Sequence, residues 1–243
     1  ALSAFATRMF DKGNYGLSIH LYKYLLHFWH EAEPIVKAGL WSQMGSALRI
    51  EGFEDEARSC FEKVIEGGVG LEYAYGGLAV GYIGQGQPEK VLEYADKALA
   101  IRPDFSDVQW NRSTAHLEMR NWKQGWIDYE HGNRGPDRWP SYHIDKKTQR
   151  WEGKRNQTVV GWGEQGVGDE IMFGSCLPDI INHVDRGEVI LDCHPRLEKT
   201  WRRSFPGLTI YPTRKTGKRY WPYQHQIDKQ ISIASQPMHF RNT

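Results

Sequence analysis

What most limits the fold of this 243-residue chain is that its first half resembles itself. Under one constant shift, Gly-Phe-Glu-Asp-Glu-Ala (52–57), Gly-Gln-Pro-Glu-Lys-Val (86–91) and Arg-Asn-Trp-Lys-Gln-Gly (120–125) superimpose, so the slim residues Ala57, Val91 and Gly125 recur at one repeat length. An earlier copy, Gly13-Asn-Tyr15 with Ser18, precedes the second by one repeat length plus an insertion around His30–Pro34. Four units follow, none able to bury its apolar face alone, so they must stack. In the second unit Trp41, Met44, Gly45 and Leu48 fall at i, i+3, i+4 and i+7 of one helix, and Ala57, Phe61 and Val64 share a face of another. The third repeats this with Tyr75, Leu78, Ala79 and Tyr82, then Val91, Ala95 and Ala98. The fourth is worn, with Gln109 and Arg112 where an aromatic and a Leu are expected.

The period, about 34 residues, and the residue types resemble the tetratricopeptide repeat. The resemblance implies an α-helical superhelix over residues 1–133, with a groove lined mostly by first helices that holds a peptide or another protein. The competing reading is that the repeats only support and orient the second half. Trp41 and Trp122 fall at core repeat positions, which argues for packing rather than sugar stacking.

Charge separates the two halves. Residues 1–133 carry 13 Lys+Arg against 18 Asp+Glu, a net of −5, and residues 134–243 carry 18 against 12, a net of +6. The basic half suits an anionic ligand, or simply docks on the acidic half. The longest uncharged stretch, 73–88, is Gly-rich and shorter than the roughly 18 apolar residues of a membrane span. No secretory signal is visible at the first residues. Cys60, Cys176 and Cys193 are odd in number and lack a C-x-x-C spacing, so three buried free thiols in a reducing cytoplasm are expected, with no metal site.

After the fourth unit, Arg134-Gly-Pro-Asp-Arg-Trp-Pro-Ser opens a linker running to 156, and a new domain over 157–243 follows. Strands are expected at Thr158–Trp162, Glu188–Cys193 and Leu208–Tyr211, with helices from Asp169, where Pro178 interrupts or kinks, and from Pro195 to Ser204. Alternating strand and helix means a parallel sheet. The string Gly161-x-Gly163-x-x-Gly166 invites a dinucleotide site, but Asp169 and Glu170 in the first helical turn would repel the pyrophosphate. An acid at that place, beyond the end of the first strand, can serve as a general base toward an attacking hydroxyl. Equally, Asp169 can cap the helix and Glu170 complement its dipole.

Further along, Trp122-Lys-Gln-Gly-Trp126-x-x-Tyr129, Trp151-x-Gly153 and Glu164-Gln-Gly-Val-Gly-Asp-Glu-Ile-Met-Phe173, continued by Cys193-His-Pro-Arg-Leu197 and Arg203-Ser-Phe-Pro206, resemble proteins that join tetratricopeptide repeats to a glycosyltransferase B domain of the heptosyltransferase and O-GlcNAc transferase type. The resemblance implies a partial α/β Rossmann-like lobe on the acceptor side, with Asp169 as catalytic base. Glu164, Gln165, Gly166, Gly168 and Glu170 would bind substrate. The implied reaction is inverting transfer from a nucleotide sugar, the co-substrate, to an acceptor hydroxyl without a required metal. Departures stand against it: the stretch after the linker is too short for a nucleotide-binding second lobe, and Ser235-Gln-Pro237 replaces the usual Ser-Leu-Pro. A fragment, or a shortened relative acting as a non-catalytic protein-binding adaptor, is therefore the alternative. Arg214-Lys-x-x-Lys218-Arg-Tyr-Trp221 sets basic beside aromatic residues, as nucleic-acid sites do, but one such cluster reads better as a solvated surface. His194 has no partner at metal-ligand spacing.

Overall fold

The computed structural model describes residues 2–134, 149–163, 166–213 and 226–242. They form two compact units, Ala1–Gly132 and Asn133–Thr243. The first contains four helix pairs: α1 (Leu2–Asp11) with α2 (Tyr15–Phe28), α3 (Pro34–Ile50) with α4 (Glu54–Gly67), α5 (Leu71–Ile83) with α6 (Pro88–Ile101), and α7 (Ser106–Glu118) with α8 (Trp122–Tyr129). Ser18, Ala57, Val91 and Gly125, the slim positions of the second helices, are all buried. At Gly125 the reason is direct, because a Cβ there would stand 2.6 Å from Leu117 Cδ2. Met44, Leu48, Phe61, Val64, Leu78 and Ala79 fill the core as the repeat register requires, and Trp41 and Tyr75 are partly buried against it.

Each pair turns on one residue of left-handed backbone. Gly13, Gly52 and Gly86 hold it at φ +75°, +87° and +62°, and in the fourth unit the same register position is Arg120 at φ +61°. Left-handed backbone costs a side chain of this kind roughly 1–2 kcal/mol that glycine avoids. Arg120→Gly is therefore expected to stabilise the helical unit by about 1 kcal/mol, read as a higher urea midpoint at unchanged slope.

The second unit is a four-stranded sheet of β1 (Val159–Trp162), β2 (Val189–Asp192), β3 (Thr209–Tyr211) and β4 (Lys229–Ser232) in the order β3-β2-β1-β4, every pairing parallel. Between strands run α9 (Val167–Phe173), α10 (Leu177–Val184) and α11 (Glu198–Ser204), and α12 (Pro237–Phe240) follows β4. A 3-10 turn, Gly174–Cys176, separates α9 from α10, so the helix breaks just ahead of Pro178, whose ring removes a backbone donor. The segment expected to be a linker up to 156 joins this unit at its described end. Arg150 bridges β4 at Gln230, and Trp151 is wholly buried, its indole N–H donating to Lys154 O at 2.8 Å. Gly153, at φ +82°, turns the chain there, and its carbonyl lies 2.7 Å from His183 Nε2. Trp151-x-Gly153 is thus an interior packing motif, with His183, His239 and Phe240 around the indole. The three cysteines are free and buried, and burial pushes the Cys60 thiol up to about 11 and the Cys193 thiol up to about 12. No helix among the described residues is long and apolar enough to cross a membrane.

Candidate functional site

Two places could act on other molecules, one in each unit. In the helical unit a groove of about 440 Å³ is lined by all four first helices, α1, α3, α5 and α7. The repeat places equivalent positions side by side along it: Gln43, Gly77 and Asn111 follow one another at single repeat lengths. Thr7 Oγ1 and Tyr22 Oη both donate to Gln43 Oε1, which fixes that amide's orientation on the wall. Gly76 leaves the middle of the groove without side-chain bulk, since a Cβ there would stand 3.0 Å from Val108 Cγ2. Beside it Tyr73 and Phe105 meet edge to face with centroids 5.7 Å apart, and the Arg102 guanidinium lies 4.5 Å from the Phe105 ring centre. Tyr73 keeps 49% of its surface exposed. The wall therefore offers hydroxyl and amide hydrogen-bonding groups from Thr7, Ser42, Ser46 and Asn111 next to an open aromatic surface. That mixture suits an extended polypeptide, whose backbone needs polar partners and whose side chains need apolar ones.

In the α/β unit the loop between β1 and α9 carries the acids singled out in the sequence. Asp169 sits in the first turn of α9, partly exposed, and its Oδ2 accepts the Gly166 N–H at 2.9 Å. This is the helix-capping role that an acid at that position is suited to. Gly168 is exposed, and a Cβ there would meet nothing within 4 Å, so the backbone at that point is open to approach. Glu164 and Gln165 lie outside the described residues, as does the basic cluster 214–221.

Glu170, expected among the substrate-binding residues, turns its carboxylate into the unit. It is fully buried, and its carboxylate accepts the His194 backbone N–H at 3.0 Å and the Trp201 indole N–H at 3.3 Å. A Cβ on Gly163 would overlap this carboxylate, so the glycine after β1 is what leaves room for Glu170. The carboxylate thereby ties α9 to the chain leaving β2 and to α11. His194 itself caps the following turn, its Nδ1 accepting the Arg196 N–H at 3.2 Å. At the end of β2, Asp192 is likewise fully buried and accepts the Thr213 N–H at 3.0 Å and the Thr213 hydroxyl at 2.9 Å.

Gln236, which the sequence marks only as a departure from Ser-Leu-Pro, is completely buried beside Gly161 of β1. Neither atom of its amide has a hydrogen-bond partner among the described residues. An unmet buried amide costs about 1–3 kcal/mol. Gln236→Leu, which restores the Ser-Leu-Pro string of the resembling family at similar volume, is expected to raise stability by about 1–3 kcal/mol. An unchanged or lower urea midpoint for the α/β unit would contradict that account.

No protein-family model matches the chain. Over 181 residues, 71% of the chain, it is 28% identical to Protein FlbA of Caulobacter vibrioides, and it spans only 30% of that protein's length. Similar solved structures include a tetratricopeptide repeat protein from Parabacteroides merdae, at 19% identity and TM-score 0.44, covering 55% of this chain and 51% of that one. Another is TTC0263, a thermophilic TPR protein of Thermus thermophilus, at 14% identity and TM-score 0.44, covering 56% and 74%. A third is YrrB, a TPR protein with an unusual peptide-binding site, at 14% identity and TM-score 0.42, covering 55% and 66%. The helical half, four helix pairs set at one repeat length, is tetratricopeptide-like in its own pattern.

Proposed function

We propose that the chain is a protein-binding scaffold whose helical unit holds an extended segment of a partner protein in the groove. The observation that carries this reading is the groove itself, one surface assembled from four equivalent helices, with hydrogen-bonding groups along its walls and a half-open aromatic pair. The buried free thiols suit a reducing setting such as the cytoplasm. Selection from a random peptide display library against the full chain tests it. Selected peptides are expected to lose about tenfold or more in affinity with Tyr73→Ala or with Ser46→Arg, and to be indifferent to Lys63→Ala on a second helix. Failure to select any peptide, or selected peptides that bind both groove variants as well as the parent, would reject the reading.

A second reading concerns the α/β unit, as the acceptor-side, Rossmann-like lobe of a glycosyltransferase. It is supported by the strand order, which reverses direction between β1 and β4 and so puts the β1–α9 loop where open parallel sheets receive ligands. Asp169 is partly exposed there, and only its Oδ2 is engaged in the cap. In that role it would take the proton of an acceptor hydroxyl as the oxygen bonds to the anomeric carbon of a nucleotide sugar and the nucleoside diphosphate leaves. Gly166 and Gly168 would let the acceptor reach the backbone. A transfer assay with a panel of UDP-, GDP- and ADP-sugars decides it: turnover lowered about 100-fold or more by Asp169→Asn supports it, and turnover indifferent to that change, or none, removes it for this chain.

A further inference from the structure

Every first helix after α1 packs against the second helix of the unit before it: α3 on α2, α5 on α4, α7 on α6. Within that packing Met44 is closed to 4% exposure and Leu78 to 5%. The second helix also presents one large side chain to the following first helix: Tyr22 of α2 bonds to Gln43 of α3, and the Phe61 ring of α4 lies against Gly77 of α5. One repeat length back from Leu78 is Met44, and the equivalent position in the first unit, allowing for the insertion, is Phe5; Gly77 leads in the same way to Gln43 and Ala4. In α1 these positions are uncovered, with Phe5 at 42% and Leu2 at 37% exposure, and Ala4 exposed beside them. An end unit that closes a stack carries a polar outer face. α1 instead carries the apolar residues of an interior helix.

We infer that the face of α1 formed by Leu2, Ala4 and Phe5 is a unit-to-unit interface that receives the second helix of one more tetratricopeptide-type unit, joined in the same polypeptide. The incoming helix seats an aromatic or large apolar side chain over Ala4, as Tyr22 does over Gln43. The inference is independent of the groove's occupant. It continues an interface the molecule already uses three times, in the same register. A covalently joined unit fits better than a second copy. Separate chains need about 20–30 residues a side for a stable contact, whereas a tethered helix acts at high effective concentration on a patch of three side chains.

The test is to place a copy of residues 1–39 directly ahead of Ala1 of the full chain, which sets the copied Tyr22 over Ala4 in the α2-to-α3 register. Amides of α1 are expected to exchange about tenfold or more slowly than in the unextended chain, with both proteins monomeric in sedimentation. Tyr22→Ala in the added copy alone should remove that protection. Unchanged exchange in α1 overturns the inference. So does an added copy that stays unfolded, since the same residues fold when seated on α3. An unextended chain that is a dimer, and is split by Phe5→Glu, also overturns it, by showing a second copy as the occupant.

Discussion

Phe61→Ala is expected to lower the stability of the helical unit by about 3–5 kcal/mol, with the helical signal melting about 10–20 °C lower. The ring is 2% exposed and stands between two first helices, its own α3 and the following α5. On one side it meets Gly45, where a Cβ would sit 3.0 Å from ring atoms, and on the other Gly77, where a Cβ would overlap the ring. Two glycines inside helices each forgo about 1 kcal/mol of helix propensity relative to alanine, and here the ring takes up the room that alanine would need. This makes the sign of a second substitution depend on the first. Gly77→Ala alone should cost about 1–3 kcal/mol by overpacking against this buried ring. In the Phe61→Ala background it should instead recover up to about 1 kcal/mol, because it fills part of the cavity and gains helix propensity. Chemical denaturation of the four proteins of this cycle gives the coupling directly. If Gly77→Ala costs the same in both backgrounds, the ring does not lock the second and third units together.

The helical half is legible in the sequence because one constraint, the constant repeat length, places helix pairs, turns and slim positions at once. In the α/β half three strands can be read and β4 cannot. Lys229-Gln-Ile-Ser232 looks polar, yet Gln230 and Ser232 are buried because the strand lies next to β1 under other elements. Local pattern cannot supply that, since the strand that pairs with β4 stands far earlier in the chain, on the other side of β2 and β3. Glu170 shows the same limit at the candidate site. Its place in the first turn of α9 is visible, but whether it turns outward to ligand or inward is decided by where His194 and Trp201 arrive. The cap made by Asp169 is open to sequence reasoning because its partner, Gly166, is a near neighbour in the chain. Trp151-x-Gly153 carries part of the family resemblance and proves to be interior packing.

The wear of the fourth unit leads to the other large effect. Where the third unit has Leu78, Tyr82 and Tyr94, the fourth has Arg112, His116 and Asp128, each one repeat length further on. In the third unit Tyr82 and Tyr94 stack with ring planes 6° apart. In the fourth, Arg112 binds Asp128 through two nitrogens at 2.7 and 3.1 Å and reaches Asp96 at 2.7 Å, while Gln124 donates to Asp128 at 2.9 Å. The same three repeat positions thus hold apolar packing in the third unit and an ion network in the fourth. Because the Asp128 side chain is only 2% exposed, Asp128→Ala should cost about 3 kcal/mol by removing the buried partner of Arg112, whose own side chain is 20% exposed. Replacing all three by the third unit's residues, Arg112→Leu, His116→Tyr and Asp128→Tyr together, should be neutral or stabilise by about 1–4 kcal/mol, since desolvating an ion pair takes back much of its attraction. The pH dependence separates the two states further. Burial, more than the nearby charges, pushes His116 below its ordinary value of about 6.5. The unfolded chain therefore binds this proton first, and the stability His116 contributes is present above about pH 6.5 and lost as pH falls through its lower folded value. Denaturant midpoints between pH 5 and 8 should fall on acidification in the parent, and the part due to His116 should vanish in the triple variant. A triple variant that is less stable than the parent at pH 7 would mean that the ion network, rather than the repeat's apolar register, holds the fourth unit in place.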